Sequence, residues 1–480
     1  MLQELIVYKE NKPVVKRALK DGRIEYLDLT RWDFIDKIFA FLISTKFFEW
    51  CQRTFPSPRK YECIPIWFLL SCLLQMKLHL TAAFHRLPGI LRAGSILTRV
   101  KFNIGHKDGG FNYKNKKPRQ SPIHQDTLRK YFKAVEAPKL ERWYNTDVIS
   151  WIRRHRGFDK QGIYILDHTF LVVPENKNYT QAARMPLDEH ENIIDIRYLS
   201  EEERKKVKYK LCYGLTSLLH LLGSEKEPVY IYAGAHLGSG DQSPLKVGEK
   251  LVEGFVNTIG KGVMKILIID RGFIDGSMIS RFKKEYKIDT IVPLRANMEL
   301  LEDAIGLTKV AFHQWEVYRE QKDKDGKVIM REEVCGFSDM STWDNCDVPV
   351  YVALMREWKK GEGEQIWGLA STIPFEKPHK AFDLYKVRAS IEERHKQLKE
   401  CWKIKKFSSP DFNLDATHVM FTLLTYTLIQ LYLFRKNLQS LANKTIETLK
   451  QEERLGRDAV VVYAKQNFAT FDVDEFAYIL

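Results

Sequence analysis

Cysteine is scarce and scattered: seven residues, at positions 51, 63, 72, 212, 335, 346 and 401, with no C-x2-C pair among them. An odd number without clustered spacing excludes a disulfide scaffold, a zinc clamp and a redox dithiol, and it is the usage of free thiols in a reducing compartment. Long apolar runs are missing too. The two longest, 64–74 and 419–434, fall short of the roughly 20 residues that cross a bilayer, and Thr422, Thr425, Thr427 and Gln430 interrupt the second. Both read as buried core helices. At the N-terminus Glu4 places a charge where a secretory signal begins its apolar stretch, and Lys9, Glu10 and Lys12 interrupt the next residues, so no export signal is visible. Internal repeats and low-complexity tracts are absent as well.

What the chain has in excess is positive charge. Its 480 residues hold 76 Lys+Arg against 62 Asp+Glu, a net of +14, which favours a polyanionic partner. With 44% hydrophobic and 12% aromatic residues the chain can bury substantial cores, which excludes wholesale disorder. The length suggests roughly two to four structural units. Residues 101–160 carry fifteen Lys/Arg against six Asp/Glu, most of the excess, and within them 107–119 is Gly- and Lys-rich with no apolar periodicity, the pattern of a basic loop. Beyond it Asp126 can cap a helix bearing Arg129, Lys130 and Lys133. A solvated linker and a phosphate-contacting surface both fit this segment.

Apolar spacing divides the rest. Phe34, Ile38, Phe41, Leu42 and later Leu69, Leu70 and Leu73 recur at helical intervals, which predicts a small helical unit over 31–100. From 163 onward short β-branched runs alternate with helical stretches. Runs 163–166 and 264–269 read as strands stopping at Asp167 and Asp270, with further strands at 212–219, 229–233 and 290–294 and helices at 245–259 and 277–286. This is the pattern of an α/β sheet with helices packed on it. Residues 300–375 revert to strands and turns, a β-rich insertion, and helices return at 382–401, 414–434 and 438–455. The expected division is 1–120, a helical N-terminal region; 121–299 and 376–436, two parts of one core; 300–375, the insertion; and 437–480, a helical tail.

The helix expected at 382–401 sorts its polar residues onto one stripe. With Tyr385 at zero and about 100° per residue, Arg388 falls near −60°, Glu392 near −20° and Lys399 near −40°, with Lys396 and Lys403 close by. A solvated helix spreads its charges, and a core helix puts Leu or Ile on such a stripe. One carboxylate in a row of cations suits nucleic-acid processing, where cations hold phosphates and the acid helps fix a metal ion. Glu393 projects near +80°, off the stripe, so Glu392 is the preferred carboxylate. Further acids must come from elsewhere, because a hard divalent cation is shared by several oxygen donors. Asp167 and Asp270, each closing an apolar run, are the best candidates. Asp275 could replace Asp270, though capping is its ordinary role. His168 and His395 flank the site, where a histidine beside a carboxylate could be a ligand or proton carrier, though a plain hydrogen-bonded histidine is the ordinary reading. Lys205, Lys206, Lys208 and Lys210 could touch a nucleic acid, but a charge run is usually a solvated face.

The spacing Tyr385-x2-Arg388-x3-Glu392-x6-Lys399 resembles the Y-x2-R-x3-E-x6-K signature of bacterial insertion-sequence transposases of the Asp-Asp-Glu class. Asp167-His168-Thr169 is similar to that family's first acidic motif and Asp270-Arg271-Gly272-Phe273 to its second. The resemblance covers about residues 120–435. It implies a ribonuclease H-like core, a mixed sheet with flanking helices interrupted by the β-rich insertion, with a helical N-terminal region and C-terminal helices. It also implies that Asp167, Asp270 and Glu392 hold two Mg²⁺ ions, with Mn²⁺ able to substitute, and catalyse DNA cleavage and strand transfer by in-line phosphoryl displacement. Tyr385, Arg388 and Lys399 would contact phosphates of the element's end, and Trp315, Trp343 or Trp367 would stack on an extruded base. The implied partners are double-stranded DNA, both element terminal repeats and target, and a second copy of the chain in a homodimeric DNA complex, with no membrane. The implied location is bacterial, cytoplasmic and nucleoid-associated. A catalytically inactive DNA-binding relic is the alternative, and a protein binding anionic lipid is the weakest reading, since no basic helix faces a separate apolar stripe.

Overall fold

β-branched and aromatic runs between residues 162 and 371 form ten strands of one mixed sheet. The computed structural model describes residues 9–32, 34–90, 113–114, 117–118, 123–175, 178–224, 226–310, 314–452 and 457–480. The strand order is Glu316–Lys322, Val328–Met340, Val350–Lys359, Gly363–Ser371, Asp289–Pro293, Met264–Ile269, Gly162–Val172 and Tyr209–Leu222, with Ala183–Pro186 and Val229–Ser239 both on the far side of the last. The middle trio, Asp289–Pro293, Met264–Ile269 and Gly162–Val172, runs parallel. The other pairings of this sheet are antiparallel. The class is therefore mixed α/β.

Helices bury their apolar stripes on this sheet. In Pro244–Ile259, Val247, Leu251, Val252, Phe255, Val256 and Ile259 are buried at helical spacing, and the helix packs on Tyr209–Leu222 and Val229–Ser239. It stops at Gly260, whose φ of 103° favours a residue without a side chain. The longest helix, Phe412–Arg435, lies along the strand Val229–Ser239 and covers its open edge. Gln430 Oε1 accepts from the Tyr230 amide at 3.2 Å and Thr427 Oγ1 from the Tyr232 amide at 3.2 Å, so edge groups that would otherwise need water are satisfied inside the protein.

By length and composition Phe412–Arg435 could cross a membrane, yet 94% of its most apolar stretch is buried within the protein. Its buried threonines have internal partners: Thr422 and Thr425 donate to carbonyls four residues back. On its other side pack the N-terminal helices Phe34–Ser44 and Ile66–Leu78, with the Phe34 and Phe41 rings 6.2 and 5.7 Å from that of Tyr432. These helices share one continuous hydrophobic core with the sheet.

Several sequence expectations change. The tail over 437–480 is not helical throughout: after the short helix Ile446–Gln451 it forms the strands Arg457–Ala464 and Asn467–Asp472 before a last helix, Val473–Ile479. Val460, Val461 and Val462 favour a strand, and Lys465 and Gln466 take left-handed conformations that close a tight hairpin. The hairpin joins Tyr26–Trp32 and Lys9–Glu10 in a four-stranded sheet, so the two ends of the chain knit together. The β-rich 300–375 begins inside a helix, Glu299–Val310, and its strands extend the main sheet, because Gly363–Ser371 pairs with Asp289–Pro293. The strand through Asp167 runs on to Val172. The helix expected at 382–401 is two, Pro378–Lys386 and Ala389–Glu400. His124, not Asp126, caps the helix Gln125–Lys133. Most of the basic loop 107–119 lies outside the described residues.

Candidate active site

Leu166 and Ile269 are the last paired residues of two neighbouring parallel strands. Asp167 and Asp270 come next on each, so they stand side by side where the parallel part of the sheet ends; adjacent strands are about 4.8 Å apart. Asp167 continues in antiparallel pairing opposite Ser217 and is buried. Asp270 leads into the turn Arg271–Phe273, makes no capping hydrogen bond and is more exposed.

The third acid arrives on a tight turn. Between Pro378–Lys386 and Ala389–Glu400 the amides of Val387, Arg388, Ser390 and Ile391 bond to carbonyls three residues back instead of four. Arg388 sits in this turn, and its guanidinium reaches all three carboxylates. Nη2 is 3.3 Å from Asp167 Oδ1 and 3.3 Å from Asp270 Oδ2, and Nη1 is 2.5 Å from Glu392 Oε1. Its Nε is buried with no hydrogen-bond partner. Burial opposes the Arg388 charge, but the carboxylates of Asp167 and Asp270 outweigh it and hold the guanidinium firmly protonated.

Asp167 is held from a second side. His395 Nδ1 lies 3.4 Å from Asp167 Oδ2. Burial pushes this carboxyl up, but His395 and the Arg388 guanidinium more than offset it and keep the group below the usual carboxylate range. Its neighbour His168 bonds through Nδ1 to Thr216 Oγ1 at 2.9 Å, and burial lowers it to about 4, so it is neutral at pH 7. The Tyr385 phenol is pushed up to about 12 by burial and remains a hydrogen-bond donor.

These groups open onto a cleft of about 1020 Å³ whose wall includes Asp167, Asp270, Arg388, Glu392, Lys396 and Lys399. Across the cleft runs the loop 187–193, whose Glu191 takes Lys399 Nζ on Oε2 at 2.8 Å and Lys405 Nζ on Oε1 at 2.5 Å. Burial raises the Glu191 carboxyl, and the two ammonium groups overcome this and lower it. Tyr385 instead faces a smaller recess of about 540 Å³ that also contains Asp270, Arg271 and Trp367.

The structure thus gathers Asp167, Asp270, Arg388 and Glu392 at one point and sets Lys399 along the same cleft and Tyr385 beside Asp270. Glu393 is largely exposed, with Arg394 Nη2 4.0 Å away. Asp275 caps the helix Gly276–Arg281 through the Met278 amide at 2.7 Å. Of the three tryptophans, Trp367 borders the recess beside Asp270, whereas Trp315 lies under the Arg356 guanidinium at 4.5 Å. Lys205, Lys206 and Lys208 are exposed, and Lys210 bonds to the Asp188 carbonyl. Glu191 and Ser217 carried no local signal in the sequence, because each meets its partner only across the fold.

Among the described residues no group of three or more Asp, Glu, His or Cys is close enough to hold a metal ion as it stands. The donor chemistry nevertheless fits a hard cation. Asp167 and Asp270 already converge on one cationic nitrogen, their oxygens are hard donors, and a single guanidinium against three carboxylates leaves the cluster electronegative. A family model described as a transposase DDE domain matches residues 159–428, more than half of the chain and all three acids. No curated protein matches the chain.

Proposed function

The chain belongs to the transposase DDE domain family, and from that premise we propose that it cuts DNA at the ends of an insertion sequence and joins those ends to target DNA by in-line phosphoryl transfer. The observation that supports this most is the convergence of Asp167, Asp270 and Glu392, from three separate chain segments, on the Arg388 guanidinium at the end of the parallel strands. Ligand sites of open α/β sheets lie at such carboxyl ends.

In this reading the core is ribonuclease H-like, and Asp167, Asp270 and Glu392 hold Mg²⁺, two ions in the full complex, with Mn²⁺ able to replace them. Bound there, the cations would supply Lewis acidity at the phosphoryl oxygens and activate the attacking hydroxyl. Glu392 completes the set by leaving Arg388, which its largely exposed side chain allows. Arg388, freed from the acids, has the planar fork and the unpartnered Nε that suit a phosphate. Lys399 and Lys396 supply point charges along the strand, and the protonated Tyr385 phenol donates to a phosphate oxygen beside Asp270. Trp367 is the aromatic best placed to stack on a base near the cut. The N-terminal region and the basic 101–160 recognise the terminal repeats, and two copies of the chain hold the paired ends.

The test is cleavage of a supercoiled plasmid that carries the DNA flanking the gene, in Mg²⁺ or EDTA, with wild type beside Asp167→Asn, Asp270→Asn, Glu392→Gln and Glu393→Gln. The expected result is metal-dependent cutting by wild type and Glu393→Gln, with the other three binding but not cutting. Binding without cutting by wild type would make the protein a DNA-binding relic, and cutting by the triad variants would move the site elsewhere.

A further inference from the structure

The Asp167 carboxylate has two oxygens and two different neighbours. Oδ1 faces Arg388 and Oδ2 faces His395. The His395 ring does not end there: its Nε2 lies 3.1 Å from Ser217 Oγ. Ser217 is in turn the direct cross-strand partner of Asp167, so the two side chains emerge on the same face of the sheet. Ser217, His395 and Asp167 are 0%, 6% and 6% exposed, and so the hydroxyl is no nucleophile and the chain of contacts is internal.

We propose that His395 and Ser217 form a positioning relay for the metal-binding face of Asp167, and through it set the distance between Asp167 and Glu392. The inference rests on the divalent-cation reading of the three acids. His395 lies three residues after Glu392 on the helix Ala389–Glu400, and residues at that interval share a helix face. One imidazole therefore ties the element carrying Glu392 to the strand carrying Asp167.

The direction of the relay is set by the donors available. A carboxylate accepts only, so Nδ1 must carry a hydrogen toward Oδ2. In the neutral ring with its proton on Nδ1, Nε2 has a lone pair to which the Ser217 hydroxyl donates, and in the imidazolium the serine oxygen accepts instead, so the contact holds in both forms. Were the ring in the other tautomer, a lone pair would face the carboxylate and the contact would be repulsive. The carboxylate thus selects the tautomer, Ser217 anchors the far nitrogen of the ring, and His395 fixes the rotation of the carboxyl group, leaving Oδ1 pointed at the place Arg388 occupies. Partners of this kind behind a ligand commonly contribute about 10- to 100-fold in metal affinity.

Phenylalanine at 395 would keep the ring's bulk and lose both contacts, whereas asparagine can place an amide N–H close to where Nδ1 sits. The experiment is Mn²⁺ titration of the full-length protein by electron paramagnetic resonance without DNA, for wild type, His395→Phe, His395→Asn, Ser217→Ala and Asp167→Asn, with thermal unfolding of each. Oligonucleotide binding in EDTA is measured in parallel. The expected result is a loss of about 10-fold or more in Mn²⁺ affinity for His395→Phe, recovery in His395→Asn, a smaller loss in Ser217→Ala, and unchanged DNA binding in EDTA. If His395→Phe binds Mn²⁺ as wild type does while Asp167→Asn does not, the relay is overturned and the metal reading stands. Equal losses in His395→Phe and His395→Asn that track their melting temperatures also overturn it, since the ring then only holds the helix to the sheet. Absence of Mn²⁺ from wild type overturns the metal reading and the relay together.

Discussion

Glu191 Oε2 lies 2.8 Å from Lys399 Nζ although 208 residues separate them, and its other oxygen takes Lys405. In the proposed DNA complex a phosphate would stand where this loop acid stands, so the pairing would oppose binding.

Removing that competition should strengthen binding. Glu191→Gln keeps the shape and frees both lysines, and an ion pair of this partly buried kind contributes about 1 kcal/mol, or about fivefold in affinity. Fluorescence anisotropy with a short duplex at low salt should show tighter binding for the variant, with the difference shrinking as salt rises. Weaker binding would mean that Glu191 positions Lys399 for DNA instead of masking it.

Arg388 predicts a trade between stability and cation binding. Arg388→Ala leaves three carboxylates without their shared counter-charge, and an uncompensated, largely buried acid costs about 3 kcal/mol. Metal-free Arg388→Ala should melt below wild type, and millimolar Mg²⁺ should raise its melting temperature by more than it raises that of wild type. An equal response in both proteins would show that the guanidinium and the cation do not share a site.

A pH prediction comes from Lys77, which lies buried between the helices Ile66–Leu78 and Phe412–Arg435. Its Nζ is 2.5 Å from His418 Nδ1, and none of the described ion pairs involves it. Burial lowers the Lys77 ammonium to about 7. The unfolded chain keeps an ordinary lysine near 10.4, so between about pH 7 and 10 it binds more protons than the fold does, and stability rises with pH across that window. Below about 7 both states are protonated and the cost of burying the charge is fully present. Lys77→Met should flatten the rise of unfolding free energy over pH 7 to 10 in urea titrations. Parallel pH curves for the two proteins would remove Lys77 as its source.

The seal on the strand Val229–Ser239 gives a fourth test. Gln430→Leu deprives the Tyr230 amide and the Ala442 carbonyl of their partner, and unsatisfied buried backbone groups cost about 1 to 3 kcal/mol each. Urea unfolding should show a loss in that range for Gln430→Leu and also for Thr427→Val, which leaves the Tyr232 amide without its acceptor and the buried Tyr144 phenol without the threonine hydroxyl. No loss in either would mean that water reaches this edge.

Much of the core and the acidic cluster was legible in advance. The apolar runs ending at Asp167 and Asp270 marked strands because buried parallel strands are continuously hydrophobic, and Glu392 stood out because its neighbours sort by helical angle. The misreadings come from pairings with distant strands. The strand through Asp167 continues because Tyr209–Leu222 pairs with it, and Thr169, Phe170 and Val172 are themselves strand formers although the polar pair Asp167-His168 interrupts the apolar run. Helical spacing ran on past Leu438 although the valines at 460–462 needed only the distant strand Tyr26–Trp32 to become sheet.

Residue type and short-range spacing by themselves determined the class of the fold, the acids and the cations, because periodicity is a property of neighbouring residues. That Arg388 is shared by three carboxylates, that Glu191 holds Lys399, and that Ser217 backs Asp167 through His395 was decided only by the tertiary structure. Those contacts join segments as far apart as 221, 208 and 178 residues, and they form only where packing of the sheet and helices brings the segments together.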